Sequence, residues 1–438
     1  MNAAAVAYER ARGAQRAWSA RDLNERAGVL NRFRSLVDER KEELAQLLTR
    51  ETSKPIAQAR NEVAGVPPRI DYFVDEAPRV LAIDTPLDDE RHSMREQISY
   101  EPLGVVLNIS AWNYPWFVGS NVFVPALLTG NTVLYKPSEY AVRTGESIAQ
   151  TLHDAGVPDD VFVAVGGGPE MGAALLEQPI DGVFFTGSHA TGRRIAETMA
   201  GRMIPVQLEL GGKDPVYVTD DVDVATAAES LADGAFYNNG QSCCSVERIY
   251  VHERVSEEFV DAFVKTVDSL VIGDPLDEST YIGPLTREQQ LDVLEAQVED
   301  AVAHGAAVRT GGMRIQAGAG TTFAPTVLTD VDHSMAVMRD ESFGPIIGIQ
   351  RVAGDSQAIA LMNDTRYGLT AGVYGTDEAR ARAILERVDA GSVYWNCCDR
   401  VSPRLPWSGR GHSGIGTTLS TLGIQAFVKP KAWHLRGP

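Results

Sequence analysis

Short apolar runs alternate with helix-period segments along most of this chain, and that alternation limits the possible folds more than any other feature. Val105-Val106-Leu107-Asn108-Ile109 reads as a buried strand, and residues 131–135 read as a second. A helix over 147–155 stops at Gly156, with Pro158 beyond it. A strand over 161–165 runs into Gly166-Gly167-Gly168, and another over 182–185 breaks at Gly187 into a helix over 191–199. Strands joined by helices must be crossed over rather than hairpinned, so the pattern predicts a parallel, doubly wound α/β sheet. Beyond residue 211 the alternation resumes. Ser256 is expected to cap a helix with Phe259, Val260, Phe263 and Val267 on one face, and Thr286-Arg287-Glu288-Gln289 reads as a capping box opening a helix that Gly305 ends. The first eighty residues read as helical from the spacing of Leu30, Phe33, Leu36, Val37, Leu44, Leu47 and Leu48. Residues 84–101 are charged and then alternating, as in a protruding hairpin.

At about 150 residues per domain, 438 residues predict two or three domains. The balance of 40 Lys plus Arg against 59 Asp plus Glu gives a net charge of −19. With no basic block, nucleic acid and anionic membrane surfaces are poor partners, because cationic side chains supply affinity for both. No run approaches the roughly 18 apolar residues of a membrane span. Glu9, Arg10, Arg12 and Arg16 interrupt the N-terminal segment, which lacks the apolar centre of a leader. A cytoplasmic location is expected. The four cysteines form two adjacent pairs, Cys243-Cys244 and Cys397-Cys398, too few for a disulfide scaffold and without zinc-knuckle spacing. No metal site is expected, and each cysteine reads as a small buried hydrophobe unless its neighbours argue otherwise.

Four segments supply such neighbours. They are Ser110-Ala111-Trp112-Asn113-Tyr114-Pro115; Tyr135-Lys136-Pro137-Ser138-Glu139; Glu209-Leu210-Gly211-Gly212-Lys213 followed by Gly240-Gln241-Ser242-Cys243; and Glu341-Ser342-Phe343-Gly344-Pro345 with Pro406-Trp407-Ser408-Gly409 near the end. In order and content they closely resemble the aldehyde dehydrogenase superfamily, from about residue 11 to residue 431. Ala111 stands where a proline commonly precedes Trp-Asn, and Trp407-Ser408 where Phe-Gly is usual. Neither change removes a reacting group.

The resemblance implies an NAD-dependent oxidation of an aldehyde to a free acid, which needs a soft nucleophile, an oxyanion donor and a base. Cys243 matches the nucleophile, and a thiolate both adds to carbonyls and leaves a hydrolysable thioester. Cys244 is expected to pack behind it. Asn113 matches the oxyanion donor. Glu209 matches the general base, and its apolar neighbours should raise its pKa. Its presence favours hydrolysis over transfer to coenzyme A.

For the cofactor the resemblance implies NAD, with NADP admissible. Lys136, Ser138 and Glu139 match the adenine-ribose contacts, where a carboxylate would repel a 2′-phosphate. Trp112, Gly187 and Ser188 match the pyrophosphate site at a helix N-terminus. Glu341 and Phe343 match contacts to the nicotinamide half. Gly168 belongs to a Gly166-x-Gly168-x-x-x-Gly172 run, which carries little by itself among 40 glycines. Tyr114, Phe117, Val118 and Asn121, with Cys398, Asp399, Arg400 and Val401, are expected to line a tunnel for a small to medium aldehyde. A carboxylate-bearing semialdehyde is the alternative substrate, recognised by Arg400 or Arg404, although solvent exposure is the simpler role for both. A silent binding protein on the same scaffold is the competing class, and it would predict damage to Cys243, Glu209 or Asn113. The expected organisation is an NAD-binding domain (1–83 and 102–210), a catalytic domain (211–427) and a bridging element (84–101 and 428–438), assembled as a homodimer or homotetramer.

Overall fold

Helices Ala3–Ser19, Leu23–Glu39, Lys41–Thr52, Ile56–Ala64 and Val66–Val80 build the N-terminal layer. The computed structural model describes residues 2–437; Met1 and Pro438, the outermost residues of segments 1–83 and 428–438, lie outside the described residues. Asp22 and Glu25 form a reciprocal capping box on the second helix. Leu30, Phe33, Val37, Leu44 and Leu48 are buried at helical spacing, whereas Leu36 and Leu47 are half-buried at the rim of the stripe.

Behind this layer lies a six-stranded sheet in the order Gly414–Ile415, Val206–Glu209, Gly182–Thr186, Val105–Ile109, Thr132–Lys136, Phe162–Ala164. All neighbours are parallel except the first pair. The chain runs outward from Val105–Ile109 through Thr132–Lys136 to Phe162–Ala164, then returns to Gly182–Thr186 on the other side. That reversal leaves a crevice at the carboxyl ends of the central strands, where such sheets bind ligands.

A second sheet has seven strands, ordered Ala307–Thr310, Thr326–Thr329, Ile346–Val352, Val246–His252, Asp214–Val218, Thr370–Tyr374, Ser392–Trp395. It is parallel except at its first pair. The architecture is thus α/β with two largely parallel sheets. Asp84–Asp89, Met94–Pro102 and Val428–Arg436 form a separate antiparallel sheet, whose last strand is exposed along nearly its whole length.

Two helix starts differ from expectation. Ser256 is the first residue of Ser256–Asp268 rather than its cap, and no side chain caps that end. The helix Gln289–Ala303 also starts without a capping box. The Thr286 hydroxyl instead donates to the Thr52 carbonyl, so a distant partner has displaced the local one. Among the described residues no helix is long and apolar enough to cross a membrane.

Candidate active site

Val105–Ile109 is buried on both faces and delivers the chain into the crevice. The next helix, Pro115–Leu128, begins with proline, whose fixed φ suits a first helical position. Asn113, in the intervening turn, is 5% exposed and donates from Nδ2 to the Gln241 carbonyl at 3.0 Å.

Opposite, the cysteine loop is built from three successive left-handed residues: Asn238 (φ 53°), Asn239 (φ 57°) and Gly240 (φ 68°). Asparagine tolerates this region through local side-chain hydrogen bonds. The Asn238 N–H donates to Gln58 Oε1 at 2.8 Å, and the Asn239 side chain donates to Pro284 O at 3.0 Å. A Cβ at Gly240 would stand 2.4 Å from the Gly344 carbonyl, so only glycine fits. The turn leaves Cys243 half-buried and Cys244 buried. The Cys244 thiol donates to Asp399 Oδ1 at 3.0 Å. Hydrogen bonding with Cys243, reinforced by burial, pushes the Cys244 thiol well up, away from thiolate chemistry.

Cys243 and Asn113 line one cavity of about 870 Å³ with Trp112, Lys136, Ser138, Glu139, Gly187, Ser188, Glu341 and Phe343. Its walls come from the ends of three parallel strands and the start of the helix His189–Met199, which Ser188 caps. Lys136 is 3% exposed, donates to the Pro137 carbonyl and stands 3.9 Å from the Glu139 carboxylate. Trp112 meets Phe343 edge-on at 5.6 Å. Glu341 accepts from the Gly212 N–H at 3.1 Å, and a Cβ on Gly211 would lie 2.3 Å from its carboxylate. Burial, with the nearby Glu247 carboxylate, raises Glu341 to about 8. These groups fit a dinucleotide: a buried ammonium, a capped helix N-terminus and flanking carboxylates along one cleft. Gly168 is not on the cavity wall, which Pro169 and Gly172 line instead, and its N–H donates to the Glu170 side chain at 2.9 Å.

Glu209 ends the strand Val206–Glu209, directly before the cavity residues Leu210 and Gly211. Its carboxylate accepts from Gln207 at 3.1 Å and from the Thr418 hydroxyl. Burial raises it to about 7 despite hydrogen bonds from Thr418, Trp407 and Gln207 that favour the ion. No hydrogen bond joins Glu209 to Cys243 among the described residues.

Several contributors were missed in the sequence. Lys213 donates to Glu247 at 2.6 Å and to Ser342 at 2.9 Å, and Glu247 accepts the N–H groups of Ser342 and Phe343. This network holds the Glu341–Phe343 turn, with Phe343 at φ 49°. Lys213 lies inside a quoted motif; Glu247 carries no sequence signal, being one charge in the strand Val246–His252, which the structure buries throughout. Asn238, Asn239 and Thr418 were missed because their roles depend on remote partners, and Gln207 because its side chain folds back on Glu209 two residues along its own strand.

Of the expected tunnel residues, Tyr114 and Val118 line the cavity, while Phe117, Asn121, Asp399, Arg400 and Val401 do not. Phe117 stacks on Tyr114 (6.1 Å, 6° between planes). Asn121 is 6% exposed. Burial raises Asp399 to about 6. Arg400 and Arg404 are exposed. Cys398 packs in the core of the second sheet, near the Tyr374 hydroxyl, rather than at a substrate entrance.

Residues 2–433 match the model of the "Aldehyde dehydrogenase family". The succinate-semialdehyde dehydrogenase [NADP(+)] of Deinococcus radiodurans is 36% identical over 97% of this chain and 88% of its own length. A peroxisomal aminoaldehyde dehydrogenase of Pisum sativum is 35% identical over 98% of this chain and 86% of its own. The crystal structure of an NAD-dependent aldehyde dehydrogenase from Sinorhizobium meliloti superposes with a TM-score of 0.95 at 34% identity, over 98% of this chain and 86% of that one. The chain therefore belongs to the aldehyde dehydrogenase family and is an oxidoreductase acting on aldehydes.

Proposed function

We propose that the protein oxidises an aldehyde to its carboxylic acid with NAD, or with NADP in its place. The carrying observation is that Cys243 and Asn113 share one cavity with the nucleotide-type groups Lys136, Glu139, Ser188 and Glu341. The Cys243 thiolate adds to the carbonyl carbon, and the Asn113 amide stabilises the resulting oxyanion. Nicotinamide bound in the cleft supplies the hydride acceptor. Collapse to the thioester leaves an acyl-enzyme on Cys243. Glu209, with a pKa near 7, removes a proton from water as it attacks the acyl carbon, and the free acid departs with the thiolate restored. Glu139 beside Lys136 disfavours a 2′-phosphate, which supports NAD. A nucleophilic thiolate also fits a reduced, cytoplasmic setting.

The exposed edge strand Val428–Arg436 supports assembly into a homodimer or homotetramer, since bare edges invite pairing. We read 1–83 and 102–210 as the cofactor domain, 211–427 as the catalytic domain, and the remaining segments as the bridging element. The test is a panel of aldehydes with NAD and NADP, wild type against Cys243→Ser. Reduced nicotinamide should form with wild type alone; its absence with every aldehyde, or equal rates in both proteins, defeats the reading.

A further inference from the structure

Behind the cavity wall the aromatic rings are interleaved with buried charge. Tyr114 lines the cavity; Phe117 stacks on Tyr114; and the Arg69 guanidinium lies 3.7 Å from the Phe117 ring centroid. Arg69 is 5% exposed, yet both its hydrogen bonds go to neutral carbonyls, Gly65 at 2.9 Å and Val401 at 3.3 Å. Among the described residues its Nε–H has no partner, and neither does Oδ1 of Asn121, one helical turn beyond Phe117. The acid that acts on it, Glu62, is committed to Lys54 and to the Trp116 N–H. A buried guanidinium without an anion is costly, and desolvation lowers this one to about 10. Gly65 makes room for the arrangement: a Cβ there would lie 2.6 Å from the Phe117 ring.

We propose that Arg69 is a substrate-binding residue that takes the far-end carboxylate of an ω-oxo acid, an aldehyde carrying its own acid group. The missing counter-ion is then delivered by the substrate, as a guanidinium fork is suited to receive it. The proposal rests on Cys243 being the nucleophile, and it moves carboxylate recognition from the exposed Arg400 and Arg404 to a buried group.

The test compares succinic, glutaric and adipic semialdehydes with butanal, pentanal and 4-aminobutanal, using wild type, Arg69→Gln and Arg69→Lys. Wild type should favour an ω-oxo acid over its neutral counterpart. Arg69→Gln should lose about 10- to 100-fold in kcat/KM for that acid, mainly through KM, while butanal changes by less than about twofold. Arg69→Lys should restore part of the loss. Equal losses with all aldehydes would make Arg69 purely structural and overturn the proposal. A wild-type preference for 4-aminobutanal or for neutral aldehydes would also overturn it, and needs no variant to fold. Calorimetric binding of glutarate to Cys243→Ala, with and without Arg69→Gln, reads the site without turnover. Weaker binding in the double variant supports Arg69 even if oxidation itself fails; unchanged binding sinks it.

Discussion

The two sides of Cys243 are built on different principles. On the cofactor side the walls are strand ends, a capped helix start and close-approach glycines, with Gly211 yielding to Glu341. On the aldehyde side, Lys54 lies 3.6 Å from the Tyr114 ring centroid and Arg69 covers Phe117, with Glu62 buried and Asp399 half-buried nearby. Close backbone approach with lysine–carboxylate pairs makes the first side; cations stacked on aromatic rings make the second. A fold can therefore keep its cofactor cleft while exchanging a few buried charges to change the aldehyde it accepts.

The largest effect should come from the residue shared by both sides. Cys243→Ala is expected to cut turnover by at least about 10⁴-fold while cofactor binding, read by calorimetry, persists. Loss of cofactor binding as well would show that the two sides are not separable. Glu209→Gln should lower kcat by about 10²- to 10⁴-fold and leave a burst of one reduced cofactor per acylated site. In the wild type, deacylation should rise as pH climbs through about 7, because only ionised Glu209 accepts a proton. The same raised pKa means that its contribution to stability is present below the usual 4.5 and is lost as pH rises through about 7.

Lys54→Met strands the buried Glu62 carboxylate and should cost about 3–5 kcal/mol in denaturant unfolding. Glu139→Ser, on the cofactor side, should leave that midpoint unchanged and improve NADP use relative to NAD by about tenfold, worth about 1.4 kcal/mol. If both lower stability equally, the contrast between the sides fails. Thr418→Val removes a donor to the Glu209 carboxylate, so the rising limb of the pH–rate profile should move up by about one to two pH units.

Much of this site was legible before any coordinates. Trp112, Asn113, Lys136, Glu139, Glu209, Cys243, Glu341 and Phe343 are held in short motifs whose chemistry survives without knowing who touches whom. The strand–helix alternation likewise predicted the parallel sheets, because strand and helix periods are local. The failures are equally physical. Thr286 reads as a cap in the sequence, but the distant Thr52 carbonyl takes its hydroxyl, and Ser256 opens its helix rather than capping it.

By itself, then, the sequence determined the α/β plan and placed Cys243, Glu209 and Asn113 in motifs that match a nucleophile, a base and an oxyanion donor, since each match depends on residue type and near neighbours. Only the tertiary structure decided that Lys213 and Glu247 hold the Glu341 turn, that Thr418 binds Glu209, and that Arg69 is buried without an acid hydrogen-bonded to it. Those are meetings between segments distant in the chain. Their energies come from desolvation and exact partners, which residue order alone does not state.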